Sequence, residues 1–315
     1  MDRGPKALSL ILNFSIMRNI KIVIFKRIGI LAIIVISLLF AGCSKDNKTG
    51  TAKVHVSVSD FTVTQQDLPQ TKTTEDAADY ANAKAVTLAF YTSDGDEVYK
   101  ATQYKADAST YTTFGEFDCD LTIGSYTMVA VAYAHSDGDE FYLTSPTEAG
   151  YTTERPRETF VGTQSVSVTS TDPLDLTTTL SRISSCLRIV STDGRPAEAT
   201  KIRTTYEKGG KSFNPTTGLA LTDNGFAQTN NPSAAAGTTV TVSSFPFLYS
   251  DEETMTITIQ ALDASNNVLI TKTVTNVPLK RNRMTTLTGA VYTPGSSSAT
   301  FQLETAWLAG VTVTF

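Results

Sequence analysis

One residue of this sequence has neighbours that equip it for a covalent reaction, and it is Cys43. Its thiol follows Ala41 and Gly42, two side chains small enough to leave the bond after Gly42 open to a peptidase. Ahead of it, residues 28–41 (IGILAIIVISLLFA) carry no charge, and Lys21, Lys26 and Arg27 lie just upstream. A cationic flank, an apolar run and a small-residue site make a secretory signal. The run is shorter than the roughly 20 residues that a membrane span needs. The expected chemistry is therefore cleavage after Gly42, which leaves Cys43 at the new terminus with a thiol able to carry a lipid. Several acyl chains on such a terminus would hold a chain on a membrane, since two such signals already anchor stably. Residues 1–16 add nothing to the signal, and Met17, followed by Arg18-Asn19-Ile20-Lys21, makes the better start.

Elsewhere the spacings that catalysis needs are missing. His55 and His135 are the two histidines. No His-x-x-x-His or Cys-x-x-Cys pair supplies a zinc ligand set. No Gly-x-Ser-x-Gly elbow or glycine-rich phosphate loop occurs. Carboxylates are plentiful, but an acidic, solvated surface accounts for them better than a glycosidase pair does. Ser93-Asp94-Gly95-Asp96-Glu97 and its echo Ser136-Asp137-Gly138-Asp139-Glu140 lack the spaced ligands and closing Glu of a calcium loop. Asp-Gly between alternating segments reads instead as a hairpin turn, which needs positive φ. The expectation is a chain that is not an enzyme and has no metal or cofactor. Cys119 and Cys186 follow Cys43. A disulfide between them is open, yet nothing places them together, and a buried free thiol in each half is the preferred reading. Trp307, the single tryptophan, sits in a terminal apolar segment and reads as core or interface more than as a sugar platform.

The mature chain, 43–315, carries 20 Lys and Arg against 30 Asp and Glu, a net charge of −10. That argues against nucleic acid, which needs basic patches. Its length suggests two domains. Abundant Thr, Ser, Val and Tyr with little helical periodicity makes it all-β. Residues 43–50 form a polar tether. Alternation marks strands over 54–58, 85–92, 117–121, 174–180, 185–190, 200–206, 240–249, 255–262, 268–274, 285–292 and 301–315. Residues 123–133 are apolar on both faces, as in a central strand. Residues 62–82 read as a long loop, and Asn266-Asn267 as a turn. A boundary near Thr171 and Asp172 gives domains 51–172 and 173–315. The first, counted from Cys43, holds 9 basic and 20 acidic residues, the second 11 and 10, so the acidity belongs to the first.

Phe40-Ala41-Gly42-Cys43 resembles the lipobox of bacterial lipoproteins, with Phe40 where Leu is usual and Leu39 one place back. Asn276-Val277-Pro278-Leu279-Lys280-Arg281-Asn282-Arg283-Met284-Thr285-Thr286-Leu287-Thr288-Gly289 resembles the closing signature of the fimbrillin-like superfamily, the subunits and anchors of type V fimbriae of Bacteroidales. The Trp307 segment and the final Val311-Thr312-Val313-Thr314-Phe315 come after it, as in that family. Leu180-Ser181-Arg182-Ile183-Ser184-Ser185-Cys186-Leu187-Arg188-Ile189-Val190 is similar to the strand that opens the family's second domain. Residues 88–95 and 123–130 look like its first-domain strands. Read from the residues alone, Pro278 ends a strand, and Lys280, Arg281 and Arg283 flank a solvated turn.

The resemblance implies two transthyretin-like β-sandwich domains behind a signal peptide, palmitate on Cys43, and a place on the outside of the cell outer membrane. It implies other fimbrial subunits as partners, joined by strand exchange, and a part in adhesion. Val311, Val313 and Phe315 alternate as a donor strand would, and equally as a strand of their own sheet would. Polymerising members are cut by an Arg-specific or trypsin-like protease near the N-terminus. This chain has no arginine between Ile28 and Glu154, and Lys72 is the candidate cleavage site. That departure favours an anchor or accessory subunit over a stalk fimbrillin. The rival from another class is a surface glycan-binding lipoprotein, which an aromatic ledge would mark.

Overall fold

The computed structural model describes residues 50–63, 73–75, 82–136, 138, 140–294 and 300–304, all within one compact unit, Gly50–Phe315. Every regular element in it is a strand. The first half supplies β1 (Thr51–Val63), β2 (Thr73–Glu75), β3 (Ala85–Thr92), β4 (Glu97–Tyr104), β5 (Glu116–Thr122), β6 (Gly124–Tyr133), β7 (Phe141–Ser145), β8 (Glu148–Tyr151), β9 (Thr159–Val168) and β10 (Leu174–Arg182). The second supplies β11 (Cys186–Ser191), β12 (Lys201–Tyr206), β13 (Ser212–Asn214), β14 (Leu219–Ala220), β15 (Phe226–Asn230), β16 (Thr241–Ser244), β17 (Glu252–Leu262), β18 (Val268–Lys280), β19 (Met284–Gly289) and β20 (Thr300–Glu304). The all-β class holds.

Period-two alternation builds these strands, because successive side chains point to opposite faces. β1 buries Ala52, Val54, Val56 and Val58 and turns Lys53, His55 and Ser57 outward. Its sheet runs β2-β1-β10-β9-β6-β3-β4, with β5 also on β1, and rolls up until it nearly closes into a barrel. Val56, Leu88, Phe90, Met128, Phe160 and Leu180 fill the inside. All pairings in this sheet are antiparallel except β1 with β10, which is parallel. Residues 123–133 are apolar on both faces for a visible reason. The outer face of β3 and β6, with Ala89, Tyr91, Val129 and Val131, lies under a small sheet ordered β14-β13-β8-β7.

The second half stacks two four-stranded sheets, β16-β11-β19-β20 and β15-β12-β17-β18, around Leu187, Ile189, Ile202, Ile257, Ile259 and Leu287. The Asp-Gly and Asn-Asn turns appear where expected: Gly95 and Gly138 have φ of 89° and 83°, and Asn266 has 69°. Other expectations are corrected. A short strand, β2, lies inside the stretch read as loop. In residues 240–249 the regular strand is only β16, and Phe247 adds an isolated bridge to Gly210. Pro278 does not end its strand. β18 runs through it, which is allowed because β18 is a sheet edge and a proline there removes no ladder donor. Nor is Arg283 solvated. It is 6% exposed, while Arg281 pairs with Asp251 at 2.7 Å.

A buried ionic junction ties the end of β10 to β9 and to the β18–β19 turn. Arg182 Nε donates to Glu158 Oε1 at 2.8 Å, and both side chains are almost inaccessible. Its second arm donates to Asn282 Oδ1 at 2.9 Å, and its guanidinium lies over the Phe160 ring. Asn82 Nδ2 donates to the other oxygen of Glu158 at 3.0 Å.

Candidate functional site

Cys43, Lys72, Val311, Val313 and Phe315 lie outside the described residues. The segment that leaves the tether is described, and it enters the sheet at once as β1. One edge of β1 ladders onto β10, from Val54↔Leu174 to Thr62↔Ser181. The other edge holds β5 through Thr51↔Thr122 to Ser57↔Glu116, and then β2 through Phe61↔Glu75 to Val63↔Thr73. β1 is thus the strand that carries β5. Removing it would strip both β5 and β10 of a neighbour.

Polar side chains on the outer face of this trio are arranged in cross-strand rows. His55 stands between Asp118 on β5 and Asp175 on β10. Its Nδ1 is 2.9 Å from Asp118 Oδ1. The hydrogen bond to Asp118 raises the imidazole pKa above its ordinary 6.5; burial opposes it, and the negative charges of Asp118, Glu116 and Asp175 add to the rise. One row along, Lys53 Nζ is 3.4 Å from Asp120. Among the described residues no hydroxyl or thiol is hydrogen-bonded to His55, so the His–Asp pair lacks the nucleophile of a triad. His135 lies elsewhere, its ring 4.8 Å from that of Tyr104. Among the described residues no three His, Cys, Asp or Glu side chains gather as metal ligands.

The two ends of the rolled sheet, β4 and β5, face each other without a ladder between them. Gln103 spans the interval. Its side chain is buried, its Nε2 donates to the Glu116 carbonyl at 2.5 Å, and its Oε1 accepts the Gly115 N–H at 2.8 Å. Gly115 has φ of 92°, a left-handed turn that presents this N–H and that a side chain would strain. Beside Gln103 the interval opens as a cleft of about 350 Å³, lined by Tyr99, Ala101, Tyr111, Glu116, Phe117 and Asp118. Tyr99 and Tyr111 also pack against the barrel core, and the Tyr111 hydroxyl donates to the Lys105 carbonyl. They are walls of the cleft and form no open ledge.

The incomplete closure explains the cysteines. Both are free. Cys186 is buried as expected, and burial pushes its thiol up to about 12. Cys119 points inward with Phe117 and Leu121 but is only half-buried, because β4 does not cover it. Burial, with Asp120 and Asp118 adding to it, still lifts its thiol to about 11, far from a reactive thiolate at neutral pH. Sequence reasoning missed Gln103 and the whole of β4. Their one signal was the faint Tyr99-x-Ala101-x-Gln103 spacing.

A family model matches residues 47–304, from the tether to the last residue of β20. The chain belongs to a family of unknown function, DUF6562. No curated protein matches the sequence. Solved structures with a similar chain trace include a protein proposed to bind polysaccharide from Bacteroides thetaiotaomicron, with a TM-score of 0.47 and 12% identity over 83% of this chain and 98% of that one. A proposed adhesin from Bacteroides ovatus has a TM-score of 0.47 and 11% identity over 83% and 95%. The fimbrial anchor protein Mfa2 from Porphyromonas gingivalis has 0.46 and 9% over 80% and 96%. No function carries over at that distance.

Proposed function

We propose that this DUF6562 member is a fimbrillin-like surface lipoprotein, held in the outer membrane by acylated Cys43 and joined to other fimbrial subunits by β-strand exchange. It serves adhesion as an anchor or accessory subunit and is not an enzyme. The supporting observation is the position of β1. The strand nearest the membrane tether lies parallel to β10 in a sheet that is otherwise antiparallel, and among the described residues it alone carries β5. A strand whose neighbours arrive from distant parts of the chain is held by main-chain pairing and by its alternate buried side chains, here Ala52, Val54, Val56 and Val58, the combination that strand exchange uses. The Asn276–Gly289 signature and the Ala41-Gly42-Cys43 site agree with this reading. We place two sandwich-like domains at 51–172 and 173–315, the second lending its first strand, β10, to the sheet of the first.

The position of Lys72 gives the stalk reading its support. Lys72 directly precedes β2, which pairs with the end of β1. A cut after it would release β1 with the leading segment and leave β2 at the new N-terminus.

Metabolic labelling with a palmitate analogue tests the anchor. Wild-type protein should incorporate label and sediment with outer membranes, and Cys43→Ala should do neither. Label retained by Cys43→Ala would refute acylation at this residue. N-terminal sequencing of the chain recovered from fimbriae separates the roles, since an anchor starts with blocked Cys43 and a matured stalk subunit at Thr73.

A further inference from the structure

Inside the second half, one sheet turns a polar row toward an apolar core. Across β15, β12, β17 and β18 the register aligns Gln228, Thr204, Ile259 and Lys272 in that row. Phe226, Tyr206, Ile257 and Val274 lie on one side of it, and Asn230, Ile202, Ala261 and Ile270 on the other. The apolar members pack in one core with Leu187, Ile189 and Val242 of the facing sheet. Two of the polar groups brought inside find partners in the fold. The Tyr206 hydroxyl bonds Ser244 Oγ, and Lys272 Nζ donates to the Thr293 carbonyl at 2.7 Å.

Gln228 Nε2 donates to Asn230 Oδ1 at 3.2 Å. That leaves Gln228 Oε1, Asn230 Nδ2 and the neighbouring Thr204 Oγ1, each inaccessible and bonded by none of the described residues. Thr204 is 0% exposed and Gln228 2%, so bulk solvent does not reach them. Groups buried in this way are costly unless protein or an ordered water pairs with them, and the side chains of Leu187, Ile189 and Val242 carry no donor or acceptor. From this geometry we infer that one water molecule is bound between Thr204, Gln228 and Asn230. Thr204 and Gln228 stand directly opposite in an antiparallel ladder, with Cβ atoms about 5 Å apart. Asn230 is two residues further along the same face of β15. The water donates to Gln228 Oε1, accepts from Asn230 Nδ2 and takes either part with Thr204 Oγ1, the three bonds usual for an internal water. An ion does not suit the place. The three atoms are uncharged, and Lys272, the charged member of the row, lies beyond Ile259 with its own partner. The water adds a side-chain link between the edge strand β15 and β12, and does so whatever surface role the chain has.

Magnetic relaxation dispersion of water oxygen reports molecules held inside a protein for longer than it takes to tumble. It is measured on the full-length protein in detergent and on Thr204→Val combined with Gln228→Met, which nearly keeps the volumes and removes both acceptors. The amplitude should fall in the double variant by that of one long-lived water. Thr87→Val serves as the control, because the Thr87 hydroxyl is bonded to that of Thr102, and it should keep the full amplitude. An amplitude that the double variant leaves unchanged would overturn the inference, and so would an equal fall in Thr87→Val. Should the double variant fail to fold, isotope labelling of asparagine in the unaltered protein decides. The Asn230 side-chain amide should then show a direct cross-relaxation peak with water at short mixing times, and lack of that peak would defeat the proposal.

Discussion

His55 and Arg182 show how differently two charged residues act in one sheet. His55 is half-exposed, so its pairing with Asp118 is worth well under about 1 kcal/mol. Its sign is nonetheless definite. The folded state raises the imidazole pKa, so the stabilisation is fully present below pH 6.5 and fades as pH rises through the folded value. Melting temperatures from pH 5.5 to 8.5 should show a small excess stability of wild type over His55→Gln at the acid end, closing toward pH 8.5. A gap that widens with pH would contradict the assignment. Arg182 is buried with Glu158, and there the cost of a lone charge dominates. Arg182→Ala should destabilise by about 3–5 kcal/mol, whereas Arg182→Met combined with Glu158→Leu should cost much less. Denaturant unfolding of the three proteins checks this, and equal losses would show that packing over Phe160, not charge, holds the junction.

At the scale of elements, β5 depends on two unlike supports: the ladder to β1 and the single amide of Gln103. Gln103→Leu keeps the volume and removes the amide, so the Gly115 N–H and the Glu116 carbonyl lose their partner. The expected loss is about 1–3 kcal/mol in denaturant unfolding, with hydrogen exchange faster at β5 than at β3. Uniform exchange would mean that β1 alone holds β5. Much of this layer was legible beforehand. The alternation at 54–58, 85–92 and 117–121 gave β1, β3 and β5 with the correct faces, and the two-sided apolar run gave central β6. β4 was invisible because its faces are mixed: Val98 and Tyr104 are exposed beside Lys100 and Thr102, while polar Gln103 points inward. β9 was missed too, although Phe160, Val166 and Val168 are buried, because its middle is polar. Pro278 misled for a different reason, since a breaker in a central strand is harmless at an edge. Of the described site, the row of His55, Asp118 and Asp175 and the cleft beside Gln103 depend on how strands distant in sequence meet, which no local pattern records.

For the whole molecule, the question is how the rolled sheet and the second half are joined, and the small outer sheet answers it. Its strands β7 and β8 come from residues 141–151 and β13 and β14 from residues 212–220, so neither half completes it alone. The close approach depends on Gly150, where a Cβ would lie 2.7 Å from Ser212 Cα. Beneath it, Phe247 is fully buried, its ring 4.6 Å from that of Phe213 and stacked on Tyr151 at 6.3 Å. Ile183 and Phe247 from the second half thus share one cluster with Tyr133 and Tyr151 from the first. With this cluster intact, calorimetry should show a single cooperative transition even if two sandwich domains exist, because neither half can unfold without exposing it. Phe247→Ala should remove about 3–5 kcal/mol, and the loss falls on the join more than on either core. If 51–172 and 173–315 are domains, the variant should melt in two steps. A single transition that merely moves to lower temperature would show that the halves are one cooperative fold, and the division would have to be abandoned. Gly150→Val gives an independent check: it should part β8 from β13 and reproduce the two-step melt while leaving both larger cores untouched.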